Sequence, residues 1–91
     1  MVYLIQYGEK VVKDDIPGIA KTHKERIRKA IGEKLTKGPE LFGKPLRKSL
    51  IGFRKLRVGD YRVIFEIDGE NVIIWAIGHR RDIYDIATKR L

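Results

Sequence analysis

Cysteine is absent from these 91 residues, which excludes disulfides, thiolate catalysis and cysteine-ligated zinc. The two histidines, His23 and His79, stand alone with no metal-ligand spacing around them, so neither a metal nor a cofactor is expected. Long apolar runs are missing too. The longest, residues 72–78, falls far short of the roughly 18 residues that a membrane span needs. No basic stretch followed by an apolar one opens the chain, and a cytoplasmic protein without membrane contact is expected. Acidic residues are scarce: 12 Asp and Glu face 20 Lys and Arg, leaving a net charge of +8. Such an excess in a short chain suits a polyanion such as nucleic acid, or an acidic protein partner. Length is limiting as well, since one core usually serves about 100 to 150 residues. Residues 1–91 therefore read as a single domain, with no room for a separate cofactor-binding unit. At 43% apolar residues, the composition is that of a chain able to bury a modest core.

The positive charge is concentrated. Residues 1–40 carry +3, residues 41–65 carry +6 and residues 66–91 carry −1. The central segment holds Lys44, Arg47, Lys48, Arg54, Lys55, Arg57 and Arg62, opposed by Asp60 alone. Scattered lysines on a surface ordinarily do no more than maintain solubility. Here the arginines sit inside strand-like sequence.

Residues 2–7 have the β-branched and aromatic content of a first strand. A short helical segment over residues 10–15 is interrupted near Pro17, which a first helical turn tolerates. Ile16, Ile19, Ala20, His23, Ile27, Ala30, Ile31 and Leu35 then recur at helical spacing, predicting a helix to about Lys37, closed by Gly38 and Pro39. His23 reads as a packed or boundary residue on the apolar edge, and Gly32 as a point of close approach. Residues 40–49 read as irregular. Residues 53–58, 61–67 and 72–77 predict three strands joined by turns at Gly59-Asp60 and Asp68-Gly69, with Gly78 ending the last. Ile83, Ile86, Ala87 and Leu91 predict a short terminal helix, with Lys89 and Arg90 against its C-terminal dipole. The class is α+β: an N-terminal strand, a helical hairpin, a three-stranded antiparallel meander and a short C-terminal helix, with the hairpin covering one sheet face and the other left open. Alternation turns Tyr61, Val63, Phe65 and Ile67 toward the core and places Lys55, Arg57 and Arg62 together on the open face.

The segment PLRKSLIGFRKLRVGDYRVIFEI, followed by IIWAIGHRRDIYDIA, resembles the RelE/ParE superfamily of toxin–antitoxin toxins. Its motifs run from Pro45 to Tyr84, and the preceding strand and helical hairpin extend the likeness over nearly the whole chain. The resemblance implies the RelE-like, microbial-ribonuclease-like fold and a cognate antitoxin, which the +8 charge predicts to be acidic. It also implies one of two activities. The RelE-like branch consists of endoribonucleases that cut messenger RNA in the ribosomal A site, and the ParE-like branch inhibits DNA gyrase. The first is favoured by Lys55, Arg57, Arg62 and an aromatic hydroxyl, and so small an open patch, with little surface to select RNA unaided, makes it dependent on the ribosome. A third reading is an inactive module that binds RNA or antitoxin.

Cutting RNA without metal requires activation of a 2′-hydroxyl, stabilisation of charge on the phosphate and protonation of the leaving 5′-oxygen. Arg57 and Arg62, on adjacent strands, suit a bidentate grip on phosphate. Lys55, crowded by two guanidinium groups, is the candidate proton acceptor, and the resemblance also implies a lysine there. The family pattern further implies an arginine after the last strand, with Arg80 favoured over Arg81, and a tyrosine, Tyr84, that stacks on a base or sits beside the nucleophile. Histidine is the residue type whose unperturbed pKa, about 6.5, suits acid–base work near neutrality, so His79 either serves as an acid–base group or caps the turn. Lys44, Arg47, Lys48, Arg54 and Arg81 are expected along the RNA. Glu66 reads as an ion-pair partner of Arg62, and Tyr61 and Trp75 as packing residues.

Overall fold

Alternating apolar residues along Arg54–Val58 (β3), Tyr61–Asp68 (β4) and Asn71–His79 (β5) build the expected antiparallel meander. In the computed structural model, which describes residues 2–91, two further strands complete a five-stranded sheet. Leu4–Tyr7 (β1) lies parallel to β5 at one edge. Lys44–Pro45 (β2) lies at the other edge, so the order is β1-β5-β4-β3-β2. Residues 40–49 are therefore not simply irregular. A single helical turn, Pro39–Phe42 (α2), leads into β2, where Lys44 pairs with Lys55 and Pro45 with Arg54. Proline is tolerated there because an edge strand has no outer partner for its missing N–H. Between α2 and β2, a methyl group on Gly43 would run into the Phe65 ring, so only glycine lets the chain cross the core this closely.

The hairpin begins with a π-helical turn, Val11–Asp15, and a 3₁₀ turn, Ile16–Gly18, with Pro17 at its start. The main helix, Lys21–Ala30 (α1), runs on into a second π-helical turn, Ile31–Leu35. It begins only after the extended Ala20, so Ile16 and Ile19 reach the core from outside it. Gly32 faces solvent, and a Cβ there would meet nothing, contrary to the expected close approach. Ile27, Ile31 and Leu35 pack with Val11 and Ile19 against Leu56, Val58, Val63, Phe65, Val72 and Ile74.

The second face of the sheet is only partly open, contrary to the expectation from alternation. Ile64 pairs with Ala76 and Phe65 with Ile74, which leaves Trp75 as the extra residue of a β-bulge. The bulge resets the alternation. Val72, Ile74 and Ile77 face the hairpin, whereas Ala76 turns to the other side and joins Leu50, Ile64, Ile83 and Ala87 in a second core. Ile83 and Ala87 belong to Ile83–Arg90 (α3), which lies back over this face. Burying a side chain the size of Ile83 is worth about 1.5–3 kcal/mol, enough to fix the first turn of α3 on the sheet. Gly78 does not end β5, which continues to His79.

The far end of α3 is held by charge. Arg90 lies in the last turn of α3, as expected. It reaches Asp15, with Nη1 2.7 Å from Oδ2 and Nη2 3.0 Å from Oδ1, and also donates to the Trp75 carbonyl at 3.0 Å. Asp15 Oδ2 accepts the Ile77 amide at 3.0 Å, so one carboxylate ties the hairpin, β5 and α3 together. The Asp15 side chain is only 7% exposed and that of Arg90 14%. The Asp15 hydrogen bonds push the Arg90 pKa above its already high ordinary value.

Candidate active site

Strand register places the basic residues in rows. Lys44, Lys55, Ile64 and Ala76 are successive cross-strand partners, and so are Arg57, Arg62 and Gly78. Partners in an antiparallel sheet share a face, so Lys44, Lys55, Arg57 and Arg62 lie together on the face that α3 partly roofs. At the roof edge, the Lys55 ammonium donates to the Tyr84 hydroxyl at 3.1 Å and lies 5.5 Å from the ring centroid. Tyr84 is in the first turn of α3, and its ring packs against the second core. Gly78 allows this close seating, since a Cβ there would lie 3.2 Å from Ile83 Cδ1.

Arg57 is exposed, while Arg62 is half-buried. Nη1 of Arg62 donates to the carbonyls of Gly59 and Tyr61, at 2.9 Å each, folding the side chain back over the β3–β4 turn. A guanidinium has five N–H donors, so this brace leaves those on Nε and Nη2 for a ligand. Glu66 is not its ion-pair partner. Glu66 instead accepts the Trp75 indole N–H at 2.8 Å, bracing the bulge.

His79 lies away from this cluster. It pairs across the sheet with Tyr61, one residue out of step with the Arg62 row, and therefore occupies the hairpin face. Its ring meets Tyr61 edge-on, with centroids 5.8 Å apart, and His23 from α1 approaches the other side of Tyr61 at 5.1 Å. Nδ1 of His79 accepts the Arg81 amide at 3.2 Å. Of the two readings open in the sequence, the geometry is that of a turn cap, distant from Lys55 and Tyr84. Tyr61 packs as expected, and the exposed His23 is a boundary residue rather than a core one.

Arg80 and Arg81 are both exposed after β5. The Arg80 amide donates to the Asp60 carbonyl at 2.8 Å and its guanidinium lies 3.7 Å from the Asp60 carboxylate, so Arg80 is tied to the β3–β4 turn. Among the described residues, Arg81 has no such carboxylate within ion-pair distance. Arg54 stands apart from the other cations. It faces the same side as Phe65 and donates to the Gly43 carbonyl at 3.0 Å, which makes it a brace for α2 and β2. Arg47 and Lys48 are exposed in the loop between β2 and β3.

Two features were not legible in sequence. The Asp15–Arg90 pair joins residues at opposite ends of the chain, which no local pattern relates. A groove of about 610 Å³ between α1, the 3₁₀ turn and β5 is lined by Tyr7, Ile16, Ile19, Ile27 and Ile77 and rimmed by Lys21, Lys24 and Arg28. Burial raises the Tyr7 pKa in this groove, and Arg28 opposes the shift. At the edge of the sheet, the Tyr3 hydroxyl donates to Glu40, which lowers the Glu40 pKa and raises that of Tyr3. Among the described residues, no helix is long and apolar enough to cross a membrane, and no three His, Asp or Glu side chains converge as a metal-binding group.

A family model described as the ParE toxin of type II toxin-antitoxin systems, parDE, matches residues 3–84. Toxin RelG of Mycobacterium tuberculosis is 44% identical over 52 residues, covering 55% of this chain and 60% of that protein. Toxin RelE of the same organism is 40% identical over 55 residues, covering 60% of this chain and 50% of that protein. The chain thus spans between half and three-fifths of the length of these curated relatives. Among solved structures, the toxin–antitoxin complex RelBE2 from Mycobacterium tuberculosis has a similar fold, with a TM-score of 0.78 at 25% identity over 88% of this chain and 100% of that one.

Proposed function

The chain belongs to the ParE toxin family of type II toxin-antitoxin systems, and from that premise we propose that it is a RelE-like endoribonuclease that cuts messenger RNA in the ribosomal A site. The observation that carries this reading is the Lys55–Tyr84 hydrogen bond of 3.1 Å, on the sheet face where Arg57 and Arg62 stand opposite each other. Fold alone does not decide activity, and this constellation is what supports the ribonuclease reading over the others.

In the proposed reaction, the 2′-oxygen of the substrate attacks phosphorus and the bond to O5′ breaks. The products are a 2′,3′-cyclic phosphate and a 5′-hydroxyl. Arg57 and the unbraced nitrogens of Arg62 hold the phosphate oxygens and stabilise the charge that builds on them. The 2′-proton passes to water. Tyr84 gives its hydroxyl proton to O5′, and Lys55, already donating to the phenol oxygen, stabilises the phenolate until water reprotonates it. Lys55 thus serves as an electrostatic partner rather than as the proton acceptor expected from sequence. Arg81, which has no carboxylate partner among the described residues, suits a contact with the substrate backbone better than the tethered Arg80 does.

The test is primer extension on a defined messenger RNA, with and without programmed 70S ribosomes, for wild type, Tyr84→Phe and Arg62→Ala. Ribosome-dependent cuts that fall by about 10²-fold or more in Tyr84→Phe support the reading, the range typical of a lost proton donor. No cuts in either lane, with toxicity retained in cells, would overturn it. The matching model's own ParE description favours the second reading, inhibition of DNA gyrase. In that case a supercoiling assay gives inhibition that survives both substitutions. Loss of both activities with RNA binding retained leaves the inactive module.

The proposed partner is an acidic antitoxin. The apolar groove rimmed by Lys21, Lys24 and Arg28 supports this, since an acidic amphipathic segment would bury its apolar face against Ile16, Ile19 and Ile27 and pair its charges with the rim.

A further inference from the structure

The loop between β2 and β3 is unusually constrained for an exposed segment. It is closed by the Leu46 amide on the Phe53 carbonyl at 2.9 Å, and the amides of Leu50, Ile51 and Phe53 each donate within it at 3.1–3.2 Å. Leu50 is buried in the second core, and Leu46 and Phe53 pack on the same cluster as Tyr84. Lys48 has a φ of 58°, the only positive value at a non-glycine among the described residues, and Gly52 has a φ of 94°. Such a conformation in a lysine costs about 1 kcal/mol or more and persists only where its surroundings hold it.

This rigid loop presents an apolar side chain to water. Ile51 is 76% exposed, in the same loop as exposed Arg47 and Lys48 and next in sequence to Leu50, which is buried in the cluster that Tyr84 packs on. A loop closed by four backbone hydrogen bonds and anchored by buried Leu50 does not need an exposed isoleucine at its tip for stability. Two cations next to a rigid apolar knob match a strand of unpaired RNA, whose phosphates are charged and whose bases and sugars are apolar on their faces.

We infer that this loop is a second RNA contact, in which Arg47 and Lys48 hold backbone phosphate and Ile51 packs on an unpaired base or its sugar. The inference rests on the ribonuclease reading for its choice of RNA as the ligand, but not on the chemistry at Tyr84. The RNA belongs either to the message or to the ribosome, and both offer the same chemistry.

The experiment measures binding of fluorescein-labelled single-stranded RNA 9-mers by anisotropy over a salt series, and binding to 70S ribosomes by co-sedimentation. Wild type, Ile51→Ser, Ile51→Leu and Arg47→Ala are compared. Half-burial of an isoleucine predicts about fivefold weaker binding for Ile51→Ser, with an unchanged salt slope and recovery in Ile51→Leu. Arg47→Ala should flatten the salt slope by about 0.7, one phosphate contact on a single strand. Loss on the 9-mers assigns the contact to free message, and loss on ribosomes alone assigns it to ribosomal RNA. Urea midpoints equal to wild type establish that each variant is folded. If wild type binds and Ile51→Ser weakens binding but nothing is cut, the loop contact stands and the nuclease reading falls. Binding of Ile51→Ser equal to wild type in both arms, or no RNA binding by wild type in either, would overturn the inference.

Discussion

Asp15→Ala tests how the terminal helix is held. The carboxylate accepts three hydrogen bonds, two from Arg90 and one from the Ile77 amide, at 2.7–3.0 Å. Alanine would leave a β5 amide without an acceptor, at a cost of about 1–3 kcal/mol. It would also leave a mostly buried guanidinium with the Trp75 carbonyl as its one remaining acceptor. Breaking a buried pair by removing one partner costs about 3–5 kcal/mol in total, and Arg90 recovers part of that by swinging toward water from the last turn of α3. A net loss of about 3 kcal/mol is expected, a large share of the roughly 5–14 kcal/mol that a chain of this length holds. In thermal unfolding this corresponds to roughly 12–24 °C. The assay is urea denaturation of wild type, Asp15→Ala and Arg90→Ala, with the slope checked for two-state behaviour. Arg90→Ala should cost less, because Asp15 keeps the Ile77 amide. A loss below about 0.5 kcal/mol for Asp15→Ala, the range of an exposed ion pair, would refute the view that this carboxylate is a structural hub.

Tyr3→Phe should move the Glu40 carboxyl titration, followed by carbon NMR, back up toward the ordinary carboxylate value. Because the folded-state pKa of Glu40 is lowered, its contribution to stability is present above the ordinary value and is lost as pH falls through the lowered one. Gly43→Ala should destabilise by about 1–3 kcal/mol in urea, since the new methyl group meets the Phe65 ring; an unchanged midpoint would mean that α2 and β2 are free to move apart. Lys48→Gly should raise stability by about 0.5–1 kcal/mol by removing the positive-φ strain, and a loss instead would mean that the lysine side chain is held by contacts worth more than that strain.

The meander was legible because its signals are local. Alternation over β3 and the first half of β4, with turn residues at Gly59 and Asp60, sets which residues pair and hence puts Arg57 opposite Arg62. Lys55 falls on the same face for the same reason, and Tyr84 follows from the GHRRDIY block that the family resemblance picked out. The amphipathic run from Ile16 to Leu35 likewise marked the hairpin, though not the break at Ala20. There the difference between a 3₁₀ turn and a helix depends on how the segment meets β5, since both present apolar residues at three- and four-residue steps.

Sequence by itself determined the first strand, the hairpin, the meander and the terminal helix, together with the basic face, because periodicity and charge are properties of neighbouring positions. Tertiary structure alone decided the rest. The Trp75 bulge, braced by Glu66, moved Ala76 to the second face and made room for α3, and no pattern within β5 announces an extra residue. His79 joined Tyr61 rather than Tyr84 because a one-residue step along a strand changes its face. Arg90, in the last turn of α3, pairs with Asp15, and Arg54 turns to the Gly43 carbonyl, since a partly buried cation goes to the acceptor that compensates its lost hydration, wherever in the chain that acceptor lies.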